Sequence, residues 1–124
     1  MNPHQKRILC VEDDEDTCDM ISSLLALVNC EVTGAGTAAE ARVKIRTEHF
    51  DLYILDNWLP GGSGVELCSE IRESDSSTPI MFYTGAGYES EREQAMAAGA
   101  QAYLVKPSDV AQLVEIVKQL LQAD

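Results

Sequence analysis

Five short apolar segments recur along the chain and are separated by longer stretches with helical patterns. The segments are ILCV (8–11), EVTGA (31–35), LYIL (52–55), IMFY (80–83) and AYLV (102–105). Four of them are continuously apolar, which is typical of strands covered on both faces, as in a parallel sheet. The second is the least apolar, and we expect it to lie at an edge of that sheet.

Between these segments, apolar residues recur at the spacing of one helical face. Such stripes run over Ile21–Val28, over Val65–Ile71 and, most clearly, over Val110–Leu121. Thr37 and Glu40 have the spacing of a capping box, which predicts the start of a second helix after the second strand.

Two further residues mark predicted helix ends. ESEREQAMAAG predicts a fourth helix that stops at Gly99, and Ser108 is predicted to be the N-cap of the last helix. The chain is thus a βα unit repeated five times. Because helical crossovers between parallel strands cover both faces of a sheet, we predict an α/β fold, a doubly wound three-layer (βα)5 sandwich, in a single domain over residues 1–124.

Composition narrows the class of protein. Hydrophobic residues make up 45% of 124 residues, enough for a core. A net charge of −12 disfavours direct binding to nucleic acid or to anionic lipid. No apolar run approaches the roughly 20 residues of a membrane span, and the N-terminal residues lack a signal peptide's apolar region. We therefore expect a cytoplasmic protein without membrane contact. Its four cysteines form no CxxC pair, and we expect them to be reduced thiols.

Polar side chains follow four of the five predicted strands. Glu12 and Asp13 follow the first, Asp56 the third, Thr84 the fourth and Lys106 the fifth. In open α/β sheets, ligands bind beyond the carboxyl ends of the strands, near the point where strand order reverses. We therefore expect three carboxylates, a hydroxyl and an ammonium to converge at one edge of the sheet.

This set of groups suits metal-assisted phosphoryl transfer. Carboxylates supply the hard oxygen ligands that Mg²⁺ prefers, and one of them can attack a phosphoryl donor as nucleophile. The Lys106 ammonium and the Thr84 hydroxyl can stabilise charge on the transferred group. Gly85 leaves room for that group close to the backbone. The acids at 14–16 are expected to occupy the first turn of a helix and to act through its dipole.

Four motifs in the predicted order carry a resemblance to a known family. VEDD (11–14), LDNWLPGGSG (55–64), IMFYTG (80–85) and AYLVKP (102–107) together resemble the receiver domain of two-component response regulators, over essentially the whole chain. The resemblance implies a CheY-like, flavodoxin-like fold whose parallel strands lie in the order 2-1-3-4-5. It also implies a phospho-acceptor switch in a phosphorelay rather than a metabolic enzyme.

Matched by position, the resemblance assigns a metal site and an acceptor. Asp56 is identified as the phospho-acceptor, and the resemblance implies that the protein catalyses its own phosphorylation and dephosphorylation there in a Mg²⁺-dependent reaction. Asp13 and Glu12 match the acidic pair that holds the metal, Asp13 directly and Glu12 through water. The backbone carbonyl of Trp58 matches the family's third protein ligand.

The resemblance also assigns a switch and its partners. Thr84 matches the hydroxyl that turns toward the phosphoryl group, Tyr103 the aromatic side chain that swings inward with it, and the bond between Lys106 and Pro107 is expected to be cis. The implied phosphoryl donor is a sensor histidine kinase or a histidine phosphotransfer protein. The implied output is an effector protein that binds the face formed by the fourth helix, fifth strand and fifth helix.

Three alternatives are open at this point. A haloacid-dehalogenase-type phosphatase also uses an Asp nucleophile with Mg²⁺, but it needs a second acid where Trp58 stands. A flavodoxin-like nucleotide binder needs a phosphate-binding loop where this chain has five acids. A pseudo-receiver keeps the fold as an interaction module without phosphorylation. Trp58 and Ala86 stand where the family tunes its dephosphorylation, and we expect from them a long-lived phospho-state, with Trp58 either shielding the acyl phosphate or packing across the mouth of the site.

Overall fold

A five-stranded parallel sheet forms the centre of the protein. The computed structural model describes residues 5–85 and 87–122. The strands are β1 (Lys6–Val11), β2 (Cys30–Ala35), β3 (Leu52–Leu55), β4 (Ile80–Thr84) and β5 (Ala102–Val105). They lie in the order β2-β1-β3-β4-β5, and all neighbouring pairs are parallel. The predicted order is confirmed, and so is the edge position of the second strand.

Helices cover both faces of this sheet. In the described part of the chain they are α1 (Glu15–Ala26), α2 (Ala38–Thr47), α3 (Gly64–Ser74), α4 (Glu89–Ala98) and α5 (Leu113–Gln122). Successive side chains of β1 point to opposite faces, as the twofold repeat of a strand requires. Ile8 and Cys10 pack with α1 and α5, whereas Leu9 and Val11 pack with α2, α3 and α4. The three-layer α/β sandwich is therefore confirmed.

Local hydrogen bonds explain where several helices begin and end. Thr37 caps α2, its hydroxyl accepting a hydrogen bond from the backbone N–H of Glu40 at 3.0 Å, as the capping box predicted. Ser63 caps α3 in the same way. Gly99 ends α4 with a positive φ of 118°, a conformation that side chains disfavour.

The predicted N-cap of the last helix is wrong. A 3₁₀ turn at Val110–Gln112 precedes α5, so the α-helix begins five residues after Ser108. The hydroxyl of Ser108 lies 3.5 Å from the carbonyl oxygen of Val105, and therefore turns back toward β5. Asp109 fixes this connection because its carboxylate accepts a hydrogen bond from the Val105 N–H at 2.9 Å.

Other sequence predictions concern single residues and bonds. The peptide bond between Lys106 and Pro107 is cis, as expected. Cys10, Cys18, Cys30 and Cys68 are free thiols, as expected. Among the described residues, no helix has both the length and the apolar character needed to cross a bilayer.

Candidate functional site

The carboxyl ends of four strands meet at one edge of the sheet and bring the predicted side chains together. One carboxylate oxygen each from Glu12, Asp13 and Asp56 lies within 4.8 Å of the others. Glu12 and Asp56 are buried, with 6% of each residue exposed, whereas Asp13 is exposed. The site therefore has a buried floor and one carboxylate that is open to solvent.

Backbone hydrogen bonds fix the positions of the two buried acids. The N–H of Glu12 donates to the carbonyl oxygen of Ala35 at 2.9 Å, and the N–H of Asp56 donates to that of Val11 at 3.0 Å. These bonds continue the parallel ladder one residue beyond β1 and β3. Both acids consequently share the rigidity of the sheet, although their side chains stand at its edge.

Lys106 faces both buried carboxylates. Its Nζ forms an ion pair with Glu12 and a second one with Asp56, at 3.0 Å from Asp56 Oδ2. Its backbone N–H donates to the carbonyl oxygen of Thr84 at 2.8 Å, which holds the residue against the end of β4. Burial lowers the pKa of Lys106, but the hydrogen bonds to the two carboxylates outweigh burial and leave that pKa raised, so the side chain stays an ammonium.

The charges at this edge are unbalanced. Burial raises the pKa of Glu12 to about 7, and the nearby charge of Asp56 adds to this effect, while Lys106 opposes it. Three carboxylates face one ammonium, so the group has an excess of negative charge that a divalent cation would neutralise. Hard carboxylate oxygens with one ligand open to solvent fit Mg²⁺, which usually keeps several waters.

The hydroxyl and the aromatic side chain of the predicted switch lie on the β4–β5 side of the site. Thr84 is fully buried, and its Oγ1 accepts a hydrogen bond from the backbone N–H of Asn57 at 3.4 Å. The ring of Tyr103 is buried and stacks on Phe82, with 5.8 Å between ring centroids. In this structure Tyr103 is therefore in an inward position.

Trp58 lies on a two-stranded hairpin that follows the acceptor candidate. Trp58–Leu59 pairs antiparallel with Gly62–Ser63. The N–H of Trp58 is 3.4 Å from Asp56 Oδ1, which places the backbone of this residue against the site. Trp58 is 63% exposed, so its side chain does not form a packed cover over the carboxylates. Ala86, the other residue of the lifetime prediction, lies outside the described residues.

Sequence reasoning missed two residues that hold the segment after Asp56. Asn57 is buried, and its Oδ1 accepts a hydrogen bond from the N–H of Val65 at 3.1 Å. A Cβ at Gly64 would lie 2.4 Å from the carbonyl oxygen of Asp56 and 2.8 Å from the ring of Phe82. A polar residue directly after a buried strand, and a glycine at the start of a helix, were the available signals.

The acids that follow Asp13 are divided between a cap and a helical turn. Asp14 caps α1, its carboxylate accepting a hydrogen bond from the N–H of Thr17 at 3.2 Å. The Thr17 hydroxyl also donates to this carboxylate and is the main cause of the lowered pKa of Asp14, to which the N–H adds. Glu15 and Asp16 occupy the first turn, as predicted. The prediction for Asp14 was one position off, because this residue precedes the helix and caps it.

Comparisons with known proteins agree with this fold. A model of the response regulator receiver domain matches residues 8–118. The phosphate regulon transcriptional regulatory protein PhoB of Rhizobium meliloti (strain 1021) is 36% identical over 118 residues, which are 94% of this chain and 52% of that protein. The transcriptional regulatory protein ResD of Bacillus subtilis (strain 168) is 34% identical, over 96% of this chain and 49% of its own length. The chain thus spans about half the length of the curated relatives it matches.

Solved structures are similar over nearly the whole chain. A CheY-like response regulator receiver domain protein from Methanospirillum hungatei JF-1 has a TM-score of 0.88 and 33% identity, covering 94% of both chains. The response regulator TrrA of Thermotoga maritima, solved in complex with Mg²⁺ and BeF, has a TM-score of 0.84 and 33% identity, covering 94% of this chain and 99% of that one. The resemblance noted in the motifs is confirmed: the chain belongs to the receiver-domain family of two-component response regulators.

Proposed function

We propose that residues 1–124 act as one receiver domain in which Asp56 accepts a phosphoryl group in a Mg²⁺-dependent reaction. One observation carries this proposal: Asp56 is buried at the end of β3, and its two carboxylate oxygens lie 3.0 Å from Lys106 Nζ and 3.4 Å from the Trp58 N–H. A carboxylate held between fixed donors in this way is oriented for attack on phosphorus.

The metal site would consist of Asp13, Asp56 and the backbone carbonyl of Trp58, with Glu12 acting through water. When bound, Mg²⁺ supplies positive charge that screens the carboxylates from one another and from the incoming phosphoryl oxygens. Glu12 would release its proton as the metal binds, because its pKa is raised to about 7 in the metal-free site. The finding that supports this assignment is the clustering of carboxylate oxygens within 4.8 Å.

The bonds that form and break in the transfer lie between the acceptor and the phosphoryl donor. A carboxylate oxygen of Asp56 attacks the phosphorus of a phosphohistidine, the P–N bond breaks, and its electron pair stays on the imidazole, which takes a proton from water. A carboxylate P–O bond forms in the same step. The donor would be a sensor histidine kinase or a histidine phosphotransfer protein, or a small phosphodonor in self-phosphorylation. Hydrolysis of the acyl phosphate by water restores the acceptor.

Phosphorylation would change the charge at the edge of the sheet. The acyl phosphate carries up to about two negative charges at neutral pH where the carboxylate carried one, so phosphorylation adds roughly one negative charge. Lys106 and Thr84 stand on the β4–β5 side of Asp56, so they are placed to meet that charge. We expect Thr84 to turn toward the phosphoryl group, and Tyr103 to hold the inward position. The face formed by α4, β5 and α5 would then bind an effector differently in the two states. The free thiols fit a reducing compartment such as the cytoplasm.

Family membership bears on the alternatives. Receiver domains are signalling domains rather than metabolic enzymes, so the haloacid-dehalogenase-type phosphatase and the flavodoxin-like nucleotide binder are set aside. The pseudo-receiver differs from our proposal only in lacking phosphorylation, and a direct test separates the two.

The test compares Asp56→Asn with Asp16→Asn, which removes an exposed acid from the first turn of α1. Each protein is incubated with Mg²⁺ and a small acyl phosphate donor, and the intact mass is measured. We expect one phosphoryl group on the wild type and on the Asp16 variant, and none on Asp56→Asn. Equal phosphorylation of Asp56→Asn would overturn the acceptor assignment, and no phosphorylation of any form, with no response to beryllofluoride, would support the pseudo-receiver.

A further inference from the structure

Two cysteines lie together next to the site without belonging to it. Cys10 is in β1 and points to the face covered by α1, where Cys18 packs against the same apolar cluster. The two thiols are close enough to shift one another's pKa, that of Cys10 upward and that of Cys18 downward. Gly34 is the β2 residue in register with Cys10, and a Cβ there would lie 2.9 Å from Cys18 Sγ. The missing side chain on Gly34 therefore lets the Cys18 sulfur approach the sheet beside Cys10.

The two thiols differ in their access to solvent. Cys10 is 1% exposed, whereas Cys18 is only partly buried and lines an open cavity of about 450 Å³ that also borders Asp13 and Gly36. A small polar reagent can therefore reach Cys18 first. The neighbouring Cys10 thiol lowers the pKa of Cys18 to about 7, so a substantial fraction of the Cys18 thiol is a thiolate at neutral pH.

The other two cysteines have neither access to solvent nor a lowered pKa. Cys30 and Cys68 are buried, and burial raises the pKa of each thiol. Their sulfurs face backbone carbonyl oxygens, at 3.7 Å from that of Val28 and at 3.5 Å from that of Ala98. They serve as internal controls, because an oxidant that attacked cysteines without regard to environment would have no reason to prefer Cys18.

We propose that Cys18 and Cys10 form an oxidation site for hydroperoxides, in which Cys18 is the attacking thiol and Cys10 resolves the product as an intramolecular disulfide. A partly exposed thiol next to a buried second thiol is the arrangement from which a sulfenic acid is converted to a disulfide.

The chemistry balances with hydrogen peroxide as the oxidant. The Cys18 sulfur attacks one peroxide oxygen, the O–O bond breaks, and the leaving hydroxide takes a proton to become water, which leaves Cys18 as a sulfenic acid. The Cys10 sulfur then attacks the Cys18 sulfur, the S–O bond breaks, and the departing hydroxide leaves as water with the Cys10 proton. Two thiols are thereby oxidised by two electrons, and one peroxide is reduced to two waters.

The disulfide would close a short ring over residues 10–18. That ring contains Glu12 and Asp13, so oxidation would restrain the segment that presents two of the three clustered carboxylates. The inference does not depend on phosphorylation of Asp56, because disulfide formation is measured without metal or phosphodonor. Failure of one proposal therefore leaves the other standing.

The experiment treats the full chain with one equivalent of hydrogen peroxide and follows free thiols and intact mass. Digestion after both Glu and Asp then separates Cys10, Cys18 and Cys30, because the acids at 12–16 lie between the first two cysteines and Asp19 lies between the second and the third. We expect two thiols to be lost per chain and a cross-linked peptide pair joining Cys10 to Cys18. The matched variants are Cys18→Ser and Cys30→Ser.

Cys30→Ser should oxidise like the wild type, whereas thiol loss in Cys18→Ser should be at least about tenfold slower, as expected for loss of the reactive thiolate. In Cys10→Ser the sulfenic acid on Cys18 should accumulate and be trapped by dimedone, which tests the order of the two steps even if one variant folds poorly. A disulfide that includes Cys30 or Cys68, equal oxidation rates in Cys18→Ser and Cys30→Ser, or no disulfide in the wild type would overturn the proposal.

Discussion

Gly64 offers the sharpest test of how the segment after Asp56 is held. It is the first residue of α3, and its N–H donates to the carbonyl oxygen of Asn57 at 3.0 Å. A Cβ at this position would meet the Asp56 carbonyl oxygen at 2.4 Å, the Phe82 ring at 2.8 Å and Asn57 Cα at 3.1 Å. Two of these three contacts are backbone atoms, which cannot move aside by a change of rotamer. Gly64→Ala should therefore displace the backbone next to Asp56.

The expected cost follows from the kind of contact. Overpacking a well-packed site typically costs 1–3 kcal/mol, and we expect Gly64→Ala to lower the free energy of unfolding by about 3 kcal/mol because the clash is with backbone. For a domain of this size that corresponds to a fall in Tm of roughly 10 °C. Any gain in helix propensity is about 1 kcal/mol at most, and smaller at the first helical position.

Gly36→Ala is the matched control, because nothing lies within 4 Å of a Cβ built at that glycine. Urea unfolding is followed by circular dichroism for both variants, and beryllofluoride binding with Mg²⁺ is titrated on the folded proteins. Gly64→Ala should be less stable than Gly36→Ala and should bind beryllofluoride more weakly, because the backbone of Asp56 has moved. Equal stability of the two variants, to within about 0.5 kcal/mol, would refute the reasoning.

Four further predictions concern ionisable side chains. In the metal-free folded protein the pKa of Glu12 is raised to about 7. The stability that protonated Glu12 contributes is therefore complete below the ordinary pKa of a glutamate and is lost as pH rises to about 7. Glu12→Gln should remove this pH-dependent loss of stability. Over the same range, Mg²⁺ affinity should rise by up to about tenfold per pH unit as Glu12 ionises. Lys106→Met leaves two carboxylates without their ammonium and should cost about 2 kcal/mol, more at about pH 8 than at about pH 6. Arg72→Ala should cost about 2 kcal/mol, since Arg72 donates twice to the Gly99 carbonyl oxygen.

Each of these has its own control and contrary result. If Glu12 does not have a raised pKa, the melting temperature should change with pH in the same way in the wild type and in Glu12→Gln. Calorimetric Mg²⁺ titrations that give one affinity at all pH values would contradict proton release from Glu12. A pH-independent effect of Lys106→Met would point to lost packing rather than charge. Arg42→Ala removes an exposed ion pair with Glu70 and should change stability little, so an equal loss in Arg42→Ala and Arg72→Ala would contradict the special role of Arg72.

The sheet was predictable because its strands are covered on both faces. LYIL, for example, is buried at all four positions. In a small α/β protein, a continuously apolar segment of this length is typical of a central strand of the parallel sheet. The site followed from the same reasoning, since residues directly after parallel strands share one edge. Both inferences use signals that lie within a few residues of one another along the chain.

What the sequence concealed depends on contacts between distant segments. Ser108 has a side chain that suits an N-cap, but the hydrogen bond from the Val105 N–H to the Asp109 carboxylate fixes the backbone conformation there. Gly64 belongs to a glycine-rich stretch that suggests a turn, and only the placement of α3 against β3 and β4 shows why a side chain is excluded. The contact of Cys18 with Cys10 likewise depends on the register of β2.

The ladder bonds made by Glu12 and Asp56 have a consequence for the timescales of motion in the protein. Amides that extend a central parallel sheet are expected to exchange with solvent only through large openings, whereas exposed side chains reorient within nanoseconds. The backbone of these two acids is thus expected to stay in place while neighbouring segments move. Hydrogen exchange should find their amides protected like those of Val11 and Leu55. Any structural response to new charge must then arise from the segments around them, and the sheet edge serves as the stationary part against which those segments move.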